Sequence, residues 1–495
     1  MPTVAASAPP LASIGYLLSR ALIYLALFHL FPILVALQSG EYGAAYAFIV
    51  AGMLSAFGGG ALTFAYRDVA RPPHRRDAIL LPVIGLPVLA LFAGIGLRFA
   101  GATTGFGTAF FEALSGLTTT GASVIVDVDA ALRSVLAWRA MLEWLGGLIA
   151  IGYALAIAPS LDIGGASLTN NALPHGEGES MTARFRGILP PLIPIYTALT
   201  ALCLVSLWIG GLPAFDALCH AMATLSSGGF STRSGSLAAF NAPLAEVLAI
   251  PFMLAAAVNA TYHWAALRGR FRAFATDREL RLLMLLIGLG ALVIATGHLA
   301  QTAAAGTGDW LTSLRVGLFS AVSAASTTGF VGSSSTPPTL LGVYILSALV
   351  FAGGMTGSTA GGLKAMRVII LFRHAYRELS RLAHPSSVRA VRLNQRAVGE
   401  GTLLGVWTLY FAFLSSLALL VAAFTATGAD LSTSFFLGLS AISNAGPIIY
   451  TLDPEFAGFP AVGTSGRAIY AVGMVIGRLE VMAILAVFAG WLWRD

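Results

Sequence analysis

Long apolar stretches recur along this chain, near residues 11–37, 44–66, 78–100, 138–158, 188–210, 244–267, 280–300, 341–374, 403–427 and 467–492. Each reaches the roughly 20 residues needed to cross a bilayer. Lipid offers no hydrogen-bond partners. Backbone at that depth must therefore be helical, unless irregular backbone lines a cavity. This leaves an all-α polytopic membrane protein as the fold class. Only 10% of residues are charged, against about 25% in an average soluble domain. No separate soluble domain is visible.

Ten crossings put both termini on one side, and the cations say which. Of 28 basic residues, 27 are Arg and one is Lys364. Nineteen fall in four segments, 66–77, 181–187, 268–281 and 364–396, after the second, fourth, sixth and eighth crossings. The positive-inside rule makes those segments and both termini cytoplasmic. The N-terminus has no charged region before its first apolar stretch and no clear cleavage site, so that stretch reads as a retained helix. Cys203 and Cys219 lie among apolar residues and imply neither a disulfide framework nor a metal site.

Four shorter apolar segments remain, near 108–118, 214–226, 312–326 and 432–443, too short to span and more like re-entrant segments. Each precedes a polar tetrapeptide. In order these are TTGA (Thr119, Thr120, Gly121, Ala122), SGGF (Ser227, Gly228, Gly229, Phe230), TTGF (Thr327, Thr328, Gly329, Phe330) and NAGP (Asn444, Ala445, Gly446, Pro447). Glycine is third every time, at spacings of 108, 100 and 117 residues. Such an internal period outweighs any single local motif. It divides the chain into an extra N-terminal helix pair (1–70) and four tandem repeats, 71–187, 188–279, 280–400 and 401–495. Each repeat reads helix, pore helix, filter loop, helix.

Four re-entrant loops on one chain can surround a pseudo-fourfold pore. Short helices pointing their C-termini inward place partial negative charge there, which favours a cation. Loop carbonyls and Ser or Thr hydroxyls can replace an ion's hydration shell. An extended, carbonyl-inward loop demands backbone angles that a Cβ resists, which is the expected reason for the third-position glycines. No carboxylate occurs inside any tetrapeptide, which disfavours a calcium-type ring of acids. A single TTG-type string would read as an ordinary helix–helix turn. Four in register do not.

Past each tetrapeptide, the following stretch departs from plain apolar sequence. Gly146 and Gly147 lie 25 and 26 residues beyond Gly121, and Asn259 lies 30 beyond Gly229. Gly357 lies 28 beyond Gly329, and Arg478 lies 32 beyond Gly446. The run Gly353–Gly362 holds five glycines in ten residues. It is a poor helix, since each interior Gly costs about 1 kcal/mol relative to Ala. It lacks the spacing and preceding strand of a phosphate-binding loop. Close helix packing by small residues is one reading. A break in the helix lining the pore is the preferred one. Arg478 needs compensation at such depth. Glu480 projects from another side of its helix, so carbonyls freed by the glycine-rich run are its expected partners. His220, His263 and Asn259 read as core side chains with satisfied hydrogen bonds. Asp127, Asp129, Asp453 and Glu455 could concentrate cations at the outer mouth.

The stretches LSGLTTTGAS, GGFSTRSGS, STTGF, GGMTGSTAGGLKAMR, RELSRLAHPSSV and GRLEV resemble the membrane subunit of the Trk potassium uptake systems. This is the TrkH/TrkG type of the superfamily that also holds KtrB, and the resemblance covers essentially the whole chain. It implies potassium uptake across the inner membrane, with the ion as substrate and no cofactor bound by this chain. It implies a filter of Thr119, Thr120, Gly121, Ser227, Gly228, Gly229, Thr327, Thr328, Gly329, Asn444, Ala445 and Gly446. It also implies a gate of Gly353, Gly354, Gly357, Ser358, Thr359, Gly361, Gly362, Lys364 and Arg478. The expected partners are a second copy in a homodimer, membrane lipid and a TrkA-type cytoplasmic nucleotide-binding regulator, with 364–396 as its docking surface; nucleic acid is not expected. The alternative is a secondary transporter coupled to a proton or sodium gradient, whose repeats would usually be two and often inverted. No paired constellation for an intramembrane enzyme occurs at helical spacing.

Overall fold

The computed structural model describes residues 12–67, 75–157, 181–333, 336–384, 391–393 and 396–479. Among them, regular structure is helical apart from one antiparallel pair of two-residue strands, Arg392–Leu393 and Arg396–Ala397. Helices α1 (Ala12–Phe28) and α2 (Leu30–Gln38) pack with α3 (Tyr42–Tyr66). Next come α4 (Arg75–Phe99), the short α5 (Phe106–Leu117) and α6 (Arg133–Gly152). A second group holds α7 (Met181–Ile209), the short α8 (Ala214–Ser226), α9 (Pro243–Ala257) and α10 (Ala260–Leu267). After α11 (Arg272–Thr276) follow α12 (Arg278–Ala304), the short α13 (Trp310–Ala325), α14 (Leu340–Ala352) and α15 (Ala365–Ala383). The last group is α16 (Glu400–Ala426), the short α17 (Leu431–Ile442), α18 (Ile449–Leu452) and α19 (Thr464–Arg478).

Seven described stretches are long and apolar enough to cross a membrane, and eight if α9 and α10 count as one bent span. Three of the ten expected crossings look different. The stretch near 244–267 bends by 103° between α9 and α10. Val258 is extended there, and the Asn259 side chain restarts the helix by accepting from Thr261 N. The stretch near 341–374 is two helices joined by irregular backbone. Gly353, Gly357 and Gly362 have φ of +65°, +80° and +77°, and Lys364 has +79°, values no right-handed helix contains. The stretch near 467–492 is helical to Arg478, and residues from 480 on, Glu480 included, lie outside the described residues.

The four short helices sit between the long ones. α5 packs on α4 and α6, and α8 on α6, α7 and α9. α13 packs on α9, α12 and α14, and α17 on α16 and α19. Their last turns are wholly buried, so the loops that follow start deep inside the protein. Glycines set that depth. A Cβ on Gly146 would strike the Leu117 carbonyl at the end of α5, and one on Gly147 would lie 3.0 Å from Ser226 Cα at the end of α8.

Candidate functional site

All four short helices end the same way. The first tetrapeptide residue is left-handed each time: Thr119 (φ +49°), Ser227 (+57°), Thr327 (+56°) and Asn444 (+51°). Its N–H returns to the carbonyl three residues back, of Gly116, Thr224, Ala324 and Ala441 respectively. The second residue's N–H reaches five back in three loops, from Thr120 to Ser115, Gly228 to Ala223 and Ala445 to Ser440. This is a Schellman-type cap, which usually carries glycine at the left-handed position. In the third loop Gly329 N bonds to Ser323 O instead. Left-handed backbone on β-branched Thr119 and Thr327 is costly and marks a constrained site.

The third-position glycines bring the loops together in cyclic order. A Cβ on Gly121 would collide with Gly228 O, and one on Gly229 with Thr328 O. One on Gly329 would lie 2.9 Å from Ile448 N, and one on Gly446 would lie 2.6 Å from Ala122 N. Gly121, Gly229 and Gly329 also have φ of +76°, +87° and +73°, as expected. Gly446 does not. It opens a short 3₁₀ turn over Gly446–Ile448, and its N–H donates to Thr120 O at 2.6 Å. Glycine is needed there for close approach, not for backbone angle. The pyrrolidine ring of Pro447 faces the other three glycines, 3.1–3.3 Å from where their Cβ atoms would be. The fourth loop is thus unlike the others in backbone as well as in sequence.

The first residue of each tetrapeptide carries a buried side-chain oxygen. Thr119 Oγ1 and Asn444 Oδ1 are buried without a hydrogen-bond partner among the described residues. Ser227 Oγ pairs with Thr359 Oγ1 at 2.8 Å, and Thr327 Oγ1 accepts from Gly361 N at 2.7 Å. Two oxygens are therefore taken by the glycine-rich run, and two are not. Buried unsatisfied oxygens are rare in native proteins, and an unhydrated cation would satisfy them. The short helices' C-terminal dipoles point the same way.

The run Gly353–Gly362 forms a loop pressed beneath the tetrapeptides. Gly361 leaves no room for a side chain against the Ser443 carbonyl. Thr359 Oγ1 also meets Leu225 O (3.1 Å) and Ala256 O (3.0 Å), and Met355 N donates to Ala257 O (2.8 Å). Lys364 Nζ donates to Ala360 O. Gly353 and Gly354 pack against Gly361 and Ala360, and Ser358 Oγ donates to Met355 O. Arg478 Nη1 donates to Thr359 O at 2.8 Å, so a carbonyl of the loop is its partner. Asn259 braces the loop from the bend between α9 and α10. Its Nδ2 donates to Thr356 O at 2.6 Å, and Ala260 N donates to Gly357 O. His220 bonds to Asp216 O and Ser231 Oγ, and His263 to Ala255 O. All three are the hydrogen-bonded core residues expected. Of the acids expected at the outer mouth, Asp129 lies 3.6 Å from Arg233, and Asp453 accepts from Thr433 Oγ1. Asp127 caps a turn by accepting from Ala130 N.

Sequence reading passes over a set of buried acids. Glu112 pairs with Arg139 at 2.7 Å and accepts from Val124 N. Glu143 accepts from Phe230 N. Glu246 pairs with Arg315 and accepts from Ser333 N. Glu279 accepts from Thr356 N and Met366 N. Their signal was available, because an ionisable residue within an apolar span marks a functional region. The basic segment 364–396 also needs revision. Lys364 and Arg367 are buried, so they add nothing to a surface. On α15, Arg377 and Arg381 flank Glu378 at 2.8 and 3.2 Å, and the Arg377 hydrogen bond lowers the Glu378 pKa. Arg389 lies outside the described residues.

Residues 47–494 match the TrkH family, described as a cation transport protein. The chain is 33% identical over 467 residues to "Trk system potassium uptake protein TrkH" of Halomonas elongata, covering 94% of this chain and 95% of that one. It is 31% identical to "Trk system potassium uptake protein TrkG" of Escherichia coli, with the same coverage. The crystal structure of the potassium transporter TrkH from Vibrio parahaemolyticus superposes with a TM-score of 0.88 at 29% identity, over 98% of this chain and all of the other. Membrane-length helices, four caps converging on one glycine cluster and a match over nearly the whole length lead to one statement: this chain belongs to the TrkH family of cation transport proteins.

Proposed function

We propose that this chain is the pore-forming subunit of a Trk-type potassium uptake system in the inner membrane. The observation that carries the reading is the cyclic meeting of the four third-position glycines, each two residues after a buried side-chain oxygen. In this reading the four tetrapeptides are a filter whose carbonyls and hydroxyls replace water around potassium. The architecture is four tandem repeats, 71–187, 188–279, 280–400 and 401–495, around a pseudo-fourfold axis, after an N-terminal pair in 1–70. The loop Gly353–Gly362 is a gate, and Arg478 pins it shut while placing a positive charge beneath the filter.

The chain works as a homodimer with both termini cytoplasmic, bound to a nucleotide-binding regulator of the TrkA type. The exposed row Phe372, Tyr376, Leu379 and Leu382 on α15, beside Arg373, Arg377 and Arg381, supports a cytoplasmic contact there. The test is ion flux in liposomes, comparing potassium, rubidium, sodium and lithium with and without the regulator. Flux that prefers potassium and runs down its own gradient is expected. Flux that requires an opposing or accompanying proton or sodium gradient would favour the coupled-transporter reading instead.

A further inference from the structure

The second loop carries a glycine that its backbone does not require. Gly228 is not in the left-handed region, and the first and third loops have threonine at that position. Those threonines tie the loop to its own helix. Thr120 Oγ1 bonds to Thr118 Oγ1 and Thr328 Oγ1 to Ser326 Oγ, both at 2.8 Å. The matching residue in the second loop, Ser226, bonds back to Met222 O and Ala223 O, as Thr118 and Ser326 bond back to their own helices, but Gly228 offers it no hydroxyl to tie. A Cβ on Gly228 would run into Glu143, 2.7 Å from its Cγ. The glycine is there to admit a carboxylate from α6, in the repeat before.

Glu143 is fully buried. Its Oε1 accepts from Phe230 N at 2.9 Å, and its Oε2 has no partner among the described residues. In a trans peptide the N–H and the preceding C=O point in opposite directions. Holding the Phe230 N–H on Glu143 of α6 therefore turns the Gly229 carbonyl to the opposite side, away from α6. One turn earlier on α6, Arg139 pairs with Glu112, donates to Ser231 O at 3.2 Å and lies 4.1 Å from the Phe230 ring centre. Glu112 in turn holds Ser123 Oγ and Val124 N just past the first loop. α6 thus reaches the outer ends of two loops, the second directly through Glu143 and Arg139 and the first through the pairing of Arg139 with Glu112 of α5.

We propose that Glu143 is a positioning residue that aims the Gly229 carbonyl at the permeating monovalent cation, replacing the threonine tie of the first and third loops. This rests on the filter reading. The test compares potassium, rubidium and sodium flux in liposomes, per unit of reconstituted protein, for three variants. Glu143→Gln keeps an acceptor oxygen and should hold the potassium-to-sodium ratio near the parent value. Glu143→Met keeps volume but leaves Phe230 N unsatisfied, and the ratio should fall by about tenfold, the scale of one lost buried hydrogen bond. Glu143→Ala with Gly228→Thr rebuilds a threonine at the second position and should recover most of the ratio. A parent-like ratio in Glu143→Met would overturn the proposal. So would a double variant that fails to accumulate or to recover the ratio. Gly121→Ser is the control: if it shifts the ratio and Glu143→Met does not, this inference fails and the filter stands. If neither shifts it, the filter reading fails.

Discussion

Replacing Arg478 by alanine should open the path. Arg478 Nη1 holds Thr359 O at 2.8 Å, while its Nε and Nη2 are buried without partners among the described residues. A hydrogen bond to a charged group contributes about 1.5–3 kcal/mol. If it exists only in the closed arrangement, its loss moves the open-to-closed ratio by about tenfold to a hundredfold. Flux should follow that ratio until the open state dominates. In the proposed reading the charge is also a repulsive centre in the cation path, so the two effects share a sign. The assay is rubidium uptake into potassium-loaded liposomes without any regulator, with protein quantified in the same vesicles. Thr359→Val is the companion change. It removes the hydroxyl that meets Ser227 Oγ, Leu225 O and Ala256 O, and it too should raise flux. The two together should add less than their sum, because both release the same loop and coupled changes on one element are not additive. A fall in flux for both single variants, at normal protein levels, would show that the contact supports the conducting state and refute the pin.

Other changes test the filter and the cytoplasmic face. Gly121→Ser and Gly329→Ser introduce side chains at φ of +76° and +73° and should lower the potassium-to-sodium flux ratio while the protein still reaches the membrane; unchanged ratios in both would remove the filter assignment. Gly446→Ala keeps an ordinary backbone angle, but its Cβ would lie 2.6 Å from Ala122 N and 2.7 Å from Thr120 O. It should cost thermal stability as well as selectivity, and a parent-like melting temperature would contradict the close approach. Arg377→Glu with Arg381→Glu and Arg389→Glu should reduce copurification of the nucleotide-binding regulator, and full recovery of the complex at physiological salt would move the docking surface elsewhere.

Much of this organisation was legible because glycine leaves a countable trace. The short helix read near 214–226 is Ala214–Ser226 itself, since a polar tetrapeptide ends it on one side and Gly-Leu-Pro precedes it. Hydropathy merged 341–374 into one span because Gly and Ala average as apolar. Counting five glycines in ten residues pointed to the break that is there. What the sequence hid was of two kinds. Gly446 looks like its three counterparts, yet the proline after it and the contact with Thr120 give its glycine another purpose. The partners of the buried acids were hidden by register, because which loop Glu143 or Glu246 reaches depends on how the helices cross. Asn259 was legible as hydrogen-bonded, but that its partner is the glycine-rich loop required the 103° bend.

The bonds from Thr359 and Gly361 to Ser227 and Thr327 carry a thermodynamic obligation. A hydroxyl engaged by the loop has less to give an ion at the lowest level of the glycine cluster. Release of the loop must then raise affinity at that level. Linkage makes the relation reciprocal, so an ion bound there must favour release by the same factor. If the loop gates the path as proposed, the transported species becomes a ligand of its own valve, and a cation that fits these oxygens poorly would loosen it less. Discrimination would then be exercised twice on one ion, once in binding these oxygens and once in unlatching what lies beneath them.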